Sequence, residues 1–318
     1  MTHILHDARP RDHGGNLDAA MARFGGRRAV WLDLSTGINP QPYPVPTFPD
    51  AAWSALPDTE AQDRLIQAAR GFWQVPDGAA VLAAPGASAL IAQMPRLIQG
   101  TRVQITPPTY NEHGAAFRAA GWQVRDHGPA DARVLVHPNN PDGRLFSPGA
   151  FHPGLTVIDE SFCDVIPDHS LIAHAARPGI VVLKSFGKFW GLAGLRLGFA
   201  IAAADTIARL ADMLGPWPVS GPALLVGAQA LGDTDWAERT RARLSQNRKR
   251  MDAMLVGAGA ETVGGTDLFG LYRVDCAEHW QTRLAHAQIW TRVFPYADDL
   301  IRLGLPPEDR WTQLEDAL

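Results

Sequence analysis

One lysine stands where it could act as a nucleophile: Lys188, in Ser185-Phe186-Gly187-Lys188-Phe189-Trp190-Gly191, with Arg196 eight residues on. An amine moved from water into glycines and aromatics loses part of its preference for the charged form. It can then attack a carbonyl near neutral pH. The segment is not a phosphate-cradling Walker loop, because no glycine stands six residues before Lys188 and no Ser or Thr follows it. Its glycines at 187, 191, 194 and 198 do not fit a dinucleotide fingerprint either. Taken alone, Lys188 would be read as an ordinary solvated loop lysine.

Four other stretches change that reading. Ala84-Pro85-Gly86-Ala87-Ser88 is a glycine turn opening a helix, whose free N–H groups suit a phosphate; the plain alternative is an N-cap at Ser88. Tyr110 closes a strand end, where it could cover a ring or simply fill the core. Pro138-Asn139-Asn140-Pro141 holds Asn140 rigidly enough to donate to an anionic oxygen, although such residues also build plain turns. Asp159-Glu160 sets carboxylates just beyond a buried strand, a place often taken by a surface Asp or a cap. Their order says more than any one of them. A phosphate turn, an aromatic, a rigid Asn, a buried Asp, then Ser-x-x-Lys and an Arg are the parts that pyridoxal phosphate requires. The lysine makes a Schiff base, the Asp keeps the ring nitrogen protonated as an electron sink, and the aromatic covers the ring face.

Each of these residues follows a short apolar run: 80–83, 102–105, 134–136, 156–158, 180–183 and 197–201. Helical patterns cover 59–73, 88–97 and 112–120, with a further helical segment expected around 148–151. That alternation predicts an α/β fold with a mostly parallel, doubly wound sheet that gathers ligands at the carboxyl ends of its strands. Pro216-Trp217-Pro218 breaks the pattern, and helices over 221–231 and 235–255 follow. Runs at 271–274 and 300–303 then predict a small α/β domain ending in a helix. The expected division is an arm (1–45) packing on the small domain, a large domain (46–216) and that small domain (217–318).

Composition fixes the class. The chain has 318 residues, 46% hydrophobic and 19% charged, which suits a folded protein with a large core. A net charge of −4 with scattered arginines argues against a nucleic-acid partner. Cys163 and Cys276 offer neither a disulfide framework nor a metal cage, so no metal is expected. The polar start and the lack of an 18-residue apolar run predict no membrane partner and a cytoplasmic location.

Over nearly its whole length the chain resembles fold-type I pyridoxal-phosphate enzymes of the aspartate aminotransferase superfamily. The motifs are His13-Gly14-Gly15-Asn16, Ile38-Asn39-Pro40, Pro108-Thr109-Tyr110, 138–143, Asp159-Glu160-Ser161-Phe162, Ser185-x-x-Lys188, Gly194-Leu195-Arg196-Leu197-Gly198 and 300–306. Within that superfamily it looks like the threonine-phosphate decarboxylases of cobalamin biosynthesis, with histidinol-phosphate aminotransferases as cousins. The resemblance implies pyridoxal 5'-phosphate as cofactor, with Lys188 as its Schiff-base lysine, Asp159 on the ring nitrogen, Tyr110 on the ring face and Asn140 on the 3'-oxygen. It implies that Gly86, Ala87, Ser185 and Arg196 hold the cofactor phosphate, with Ser88 nearby. His13 and Asn39 would close over a small phosphorylated amino acid, and Arg302 and Arg292 would grip its anions. A homodimer is implied as well.

Two departures stand out. Phe162 occupies the place of a usual tyrosine, so one hydroxyl toward the 3'-oxygen is missing. Leu56, in Leu56-Pro57-Asp58, replaces the tyrosine that usually reaches the neighbouring subunit's phosphate. Glu160 and Asp164 are expected to be structural or solvent-facing. Trp190, Trp217 and Trp290 lie near motifs and are candidates for the pocket wall, while most of the ten tryptophans are expected to be core or interface residues. The branch resemblance implies decarboxylation of L-threonine O-3-phosphate, with an aminotransferase of the histidinol-phosphate type as the alternative; spacing alone does not decide, because the bond held perpendicular to the ring is the one that breaks. A non-catalytic sensor is the third reading.

Overall fold

A computed structural model of the chain describes residues 13–318. Runs such as Leu155–Asp159 and Ile180–Ser185 are mostly apolar and buried on both faces, as in a strand covered on two sides. They are the centre of a seven-stranded sheet: β1 (Ala79–Ala84), β2 (Arg102–Ile105), β3 (Gln123–Arg125), β4 (Ala132–Val136), β5 (Leu155–Asp159), β6 (Ile180–Ser185) and β7 (Gly198–Ala203), in the order β1-β7-β6-β5-β4-β2-β3. All pairings from β6 to β3 are parallel, whereas β7 runs antiparallel to both β6 and β1. The chain turns back into β7 directly from the Lys188 loop, without the crossover helix that a parallel return would need.

The two-residue period of the strands feeds two cores. Val157, Val181 and Leu183 face a cluster with Leu90 and Ile91 of α3 (Ala87–Gln93), Phe117 of α4 (Asn111–Ala119) and Leu210 of α5 (Ala204–Leu214). Ile158, Ile180 and Val182 face the other cluster, with Leu65 of α2 (Thr59–Phe72), Leu224 of α6 (Gly221–Gly232) and Leu244 of α7 (Thr234–Gly257). Each such fully buried aliphatic side chain contributes about 1.5–3 kcal/mol. The helix expected around 148–151 is only the 3-10 turn Pro148–Ala150, and β5 reaches β6 through three more such turns. Pro148, Pro153 and Pro167 with Gly149 and Gly154 interrupt any longer helix there.

A second, antiparallel sheet holds β8 (Glu261–Thr266), β9 (Phe269–Arg273), β10 (Arg292–Phe294) and β11 (Ala297–Gly304) in the order β10-β11-β9-β8, with α8 (Ala277–His286) against β11. The stretch after α1 (Leu17–Phe24) joins this part: Leu32–Asp33 pairs with Ile289–Trp290, and Gly304 donates its N–H to Leu34 O (2.7 Å). The chain closes with α9 (Trp311–Ala317). Among the described residues no helix is long and apolar enough to cross a membrane.

Candidate active site

The carboxyl ends of β5 and β6 bring Asp159 and Ser185 to one edge of the sheet, and the loop after β6 carries Lys188 and Arg196 over them. They line a cavity of about 110 Å³ together with Ala87, Ser88, Tyr110 and Asn140. Tyr110, Asn140, Phe162 and Lys188 also line an outer cleft of about 320 Å³, which adds His13, Arg292 and Arg302. Lys188 is half-buried where the two meet. Burial lowers its amine to about 8, the Arg302 and Arg196 charges push the same way, and Asp159 opposes them. Its Nζ lies 5.5 Å from the centre of the Phe162 ring, where the usual tyrosine would add a hydroxyl.

Asp159 is 2% exposed yet stays ionised. Burial alone would raise its carboxyl, but a 2.7 Å bond from His113 Nε2 and those from the N–H (3.0 Å) and hydroxyl (2.5 Å) of Ser161 together outweigh it. The result lies below the usual carboxylate range. His113 was not among the expected site residues. Its signal was its place on α4, one turn before Phe117 on the buried face, where an imidazole must find a partner. Its Nδ1 has no hydrogen-bond partner among the described residues, so Nε2 carries the proton toward Asp159.

The Pro138–Gly143 turn sorts its two asparagines. Asn139 is buried and staples the turn, donating Nδ2 to Pro108 O (2.9 Å) and Asp142 Oδ1 (2.7 Å) and accepting from the Thr109 hydroxyl (2.6 Å). Asn140 is left facing the cavity, with its amide oxygen bonded to Arg302 Nη1. Arg302, on β11, is 6% exposed; it also donates Nη2 to Ser35 O (2.7 Å) and lies over the Phe269 ring. At the mouth, Arg292 donates to His13 O (2.7 Å), and His13 Nε2 meets Glu112 Oε1 (2.9 Å).

Two expectations need correction and one is narrowed. Asn39 lines neither cavity; it is buried against the Lys188 loop and α7, with its amide nitrogen on Phe189 O and its oxygen on Arg243. Of the two readings of Glu160 and Asp164, the structural one holds. Both are buried around Lys184, whose ammonium lies 2.7 Å from Glu160 and 3.4 Å from Asp164. Burial would lower the Lys184 amine, but the two carboxylates outweigh it and raise it. Trp190, Trp217 and Trp290 line neither cavity: Trp190 is fully buried and donates to Asp164, while Trp217 is exposed. Leu56 is 65% exposed and also lines neither.

His137, Glu160 and Cys163 approach one another within 4.8 Å. They are not arranged as metal ligands. Nδ1 of His137 accepts from Phe146 N–H and Nε2 donates to His169 O, while Glu160 holds Lys184, Ser170 and the Leu171 N–H. Burial pushes the Cys163 thiol up, away from the thiolate a metal needs.

The sequence pattern of the family described as aminotransferase class I and II matches residues 129–303. The chain belongs to that family. A relative named threonine-phosphate decarboxylase from Sinorhizobium sp is 42% identical over 97% of this chain and 98% of its own length. One of the same name from Pseudomonas aeruginosa is 40% identical, over 96% and 97%. In fold, the chain is similar to the histidinol-phosphate aminotransferase from Sinorhizobium meliloti in complex with pyridoxal-5'-phosphate, with a TM-score of 0.81 at 18% identity over 95% and 93% of the two chains. The architecture is that of fold-type I.

Family membership implies pyridoxal phosphate, and the residues present fit it. Gly86 (φ +87°) leaves room for Arg196: a Cβ there would lie 2.6 Å from Arg196 Nη2. A Cβ on Gly198 would lie 2.4 Å from Ala87 N. Two glycines thus keep open a cradle where a guanidinium and the uncapped first N–H groups of α3 converge. An available amine and a buried carboxylate held ionised complete the donor set.

Proposed function

We propose that this chain is a pyridoxal-phosphate enzyme that decarboxylates L-threonine O-3-phosphate to (R)-1-aminopropan-2-yl phosphate, in the cytoplasm and in cobalamin biosynthesis. The observation that carries the reading is a cleft with cationic groups at two depths, in a chain matching named threonine-phosphate decarboxylases end to end. Arg302 sits deep beside Asn140, and Arg292 sits at the mouth with His13. A substrate with a carboxylate and a phosphate can be held by its phosphate at one depth. Its carboxylate is then free to stand out of the ring plane, where the C–C bond breaks.

When bound, the cofactor supplies a sink for the electron pair left on the α-carbon. Arg196, Ser185 and the amides after Gly86, with Ser88 at the rim, would hold its phosphate; Tyr110 would cover the ring and Asn140 its 3'-oxygen. Asp159, kept anionic by His113 and Ser161, would hold a proton on the ring nitrogen. Lys188 Nζ would hold the cofactor through its carbonyl carbon, with loss of water, and its amine would return a proton to the α-carbon after carbon dioxide leaves. Exposed Val45, Trp53 and Leu56 support a homodimer, which sedimentation would check.

Comparing carbon dioxide release from L-threonine O-3-phosphate and from L-threonine tests the phosphate grip. We assign the phosphate to Arg292 at the mouth and expect Arg292→Leu to lower the preference for the phosphorylated substrate by about 10- to 150-fold, the worth of a lost charged contact. An unchanged preference would overturn that assignment. Keto-acid formation instead of carbon dioxide would favour an aminotransferase of the histidinol-phosphate type, and binding without turnover a sensor.

A further inference from the structure

Three consecutive carbonyl groups of the Lys188 loop are taken by one short stretch of the arm. Asn39 donates its N–H to Lys188 O (3.0 Å) and its Nδ2 to Phe189 O (2.9 Å), and the Tyr43 N–H donates to Trp190 O (2.9 Å). The two backbones are in close contact. A Cβ on Gly191, which holds φ +69°, would come 2.7 Å from Pro42 Cα and 2.8 Å from Asn39 O. Behind Asn39 stands α7: Arg243 donates Nη2 to Asn39 Oδ1 (3.1 Å), which also accepts the Gln41 N–H (3.1 Å). The same stretch reaches the anion side, because Ser35 O accepts from Arg302 Nη2 (2.7 Å).

We propose that Asn39, backed by Arg243, is a positioning residue for Lys188. It clamps the peptide from which the amine projects and, through residues 35–39, sets that amine against Arg302. Asn39 is 1% exposed with its amide oxygen and nitrogen both committed to protein groups, so it is turned away from any substrate. Removing its side chain would leave Phe189 O and the Arg243 guanidinium without these partners inside the fold. The loop would then shift, and the amine would move out from between Arg302, Arg196 and Asp159 toward water. The inference rests on Lys188 being the reactive amine.

The test is the pH profile of reductive methylation at Lys188 in the full-length, cofactor-free chain, read by peptide mass spectrometry. The wild type should inflect near about 8. Asn39→Ala should move the inflection up by about one unit or more, toward the ordinary lysine value near 10.4. In the cofactor-loaded enzyme, kcat should fall about tenfold while KM changes less than about threefold. Arg243→Leu should shift the profile in the same direction by less, and it carries the test if Asn39→Ala does not fold. An unmoved inflection in either folded variant overturns the inference; if KM rises instead, Asn39 is a substrate contact after all. A wild-type inflection already near the ordinary value would remove the reading of Lys188, and this inference with it.

Discussion

His113→Leu would take away one of three donors to the Asp159 carboxylate, in a place only 2% exposed. The Ser161 N–H and hydroxyl remain on Oδ1, but Oδ2 loses its 2.7 Å partner. A hydrogen bond to a charged group is worth about 1.5–3 kcal/mol. Urea unfolding of the cofactor-free chain at pH 7 should therefore show a loss of about 1.5–3 kcal/mol for His113→Leu. In an Asp159→Asn background the same change should cost only about 0.5–1.5 kcal/mol, since the bond lost is then to a neutral group. The pH dependence has a fixed sign. The folded-state value of Asp159 lies below its unfolded one, so its contribution is complete above the ordinary carboxylate value near 4 and is lost as pH falls through the lower folded value. The stability gap between wild type and His113→Leu should narrow over that acid range. Additive effects of the two substitutions at every pH would refute the argument that His113 works through Asp159.

Two further substitutions probe the neighbourhood. Lys184→Met leaves Glu160 and Asp164 as buried carboxylates without their cation, and thermal or urea unfolding should show a loss of about 3–5 kcal/mol; a loss below about 1 kcal/mol would show that water already reaches the cluster. Gly37→Ala would bring a Cβ within 2.7 Å of the Phe269 ring and 3.0 Å of Phe162, which forms one wall of the cleft. Overpacking of this kind costs about 1–3 kcal/mol, and KM should rise as the wall moves; unchanged stability and KM would contradict the tight contact.

Much of the site was legible because of how a parallel sheet works. Asp159 and Ser185 end neighbouring apolar strands, so strand-end reasoning puts them side by side, with Tyr110, Lys188 and Arg196 on the loops that follow. The departures came where a contact joins distant elements. Asn39 and Phe189 are 150 positions apart, and nothing in Ile38-Asn39-Pro40 says whether the amide faces a substrate or the loop behind it. His113 and Asp159 are 46 apart; the helical spacing of His113 and Phe117 marks a buried imidazole but not its partner. The choice between a structural and a solvent-facing Glu160 and Asp164 is not legible in the sequence, because the partner lies on another strand. Lys184 shares the face of Ile180 and Val182, and a lysine on that inward face was the overlooked clue. The βα alternation predicts a helix between β4 and β5 that the prolines and glycines of that stretch do not allow.

The most direct test of the account is to give the cofactor-loaded protein L-threonine O-3-phosphate labelled at its carboxyl carbon, and to follow gas and products together. The account predicts one labelled carbon dioxide for each aminopropanol phosphate formed, with Lys188→Ala giving neither. Label retained in a keto acid, with amino groups passed to the cofactor, would contradict it.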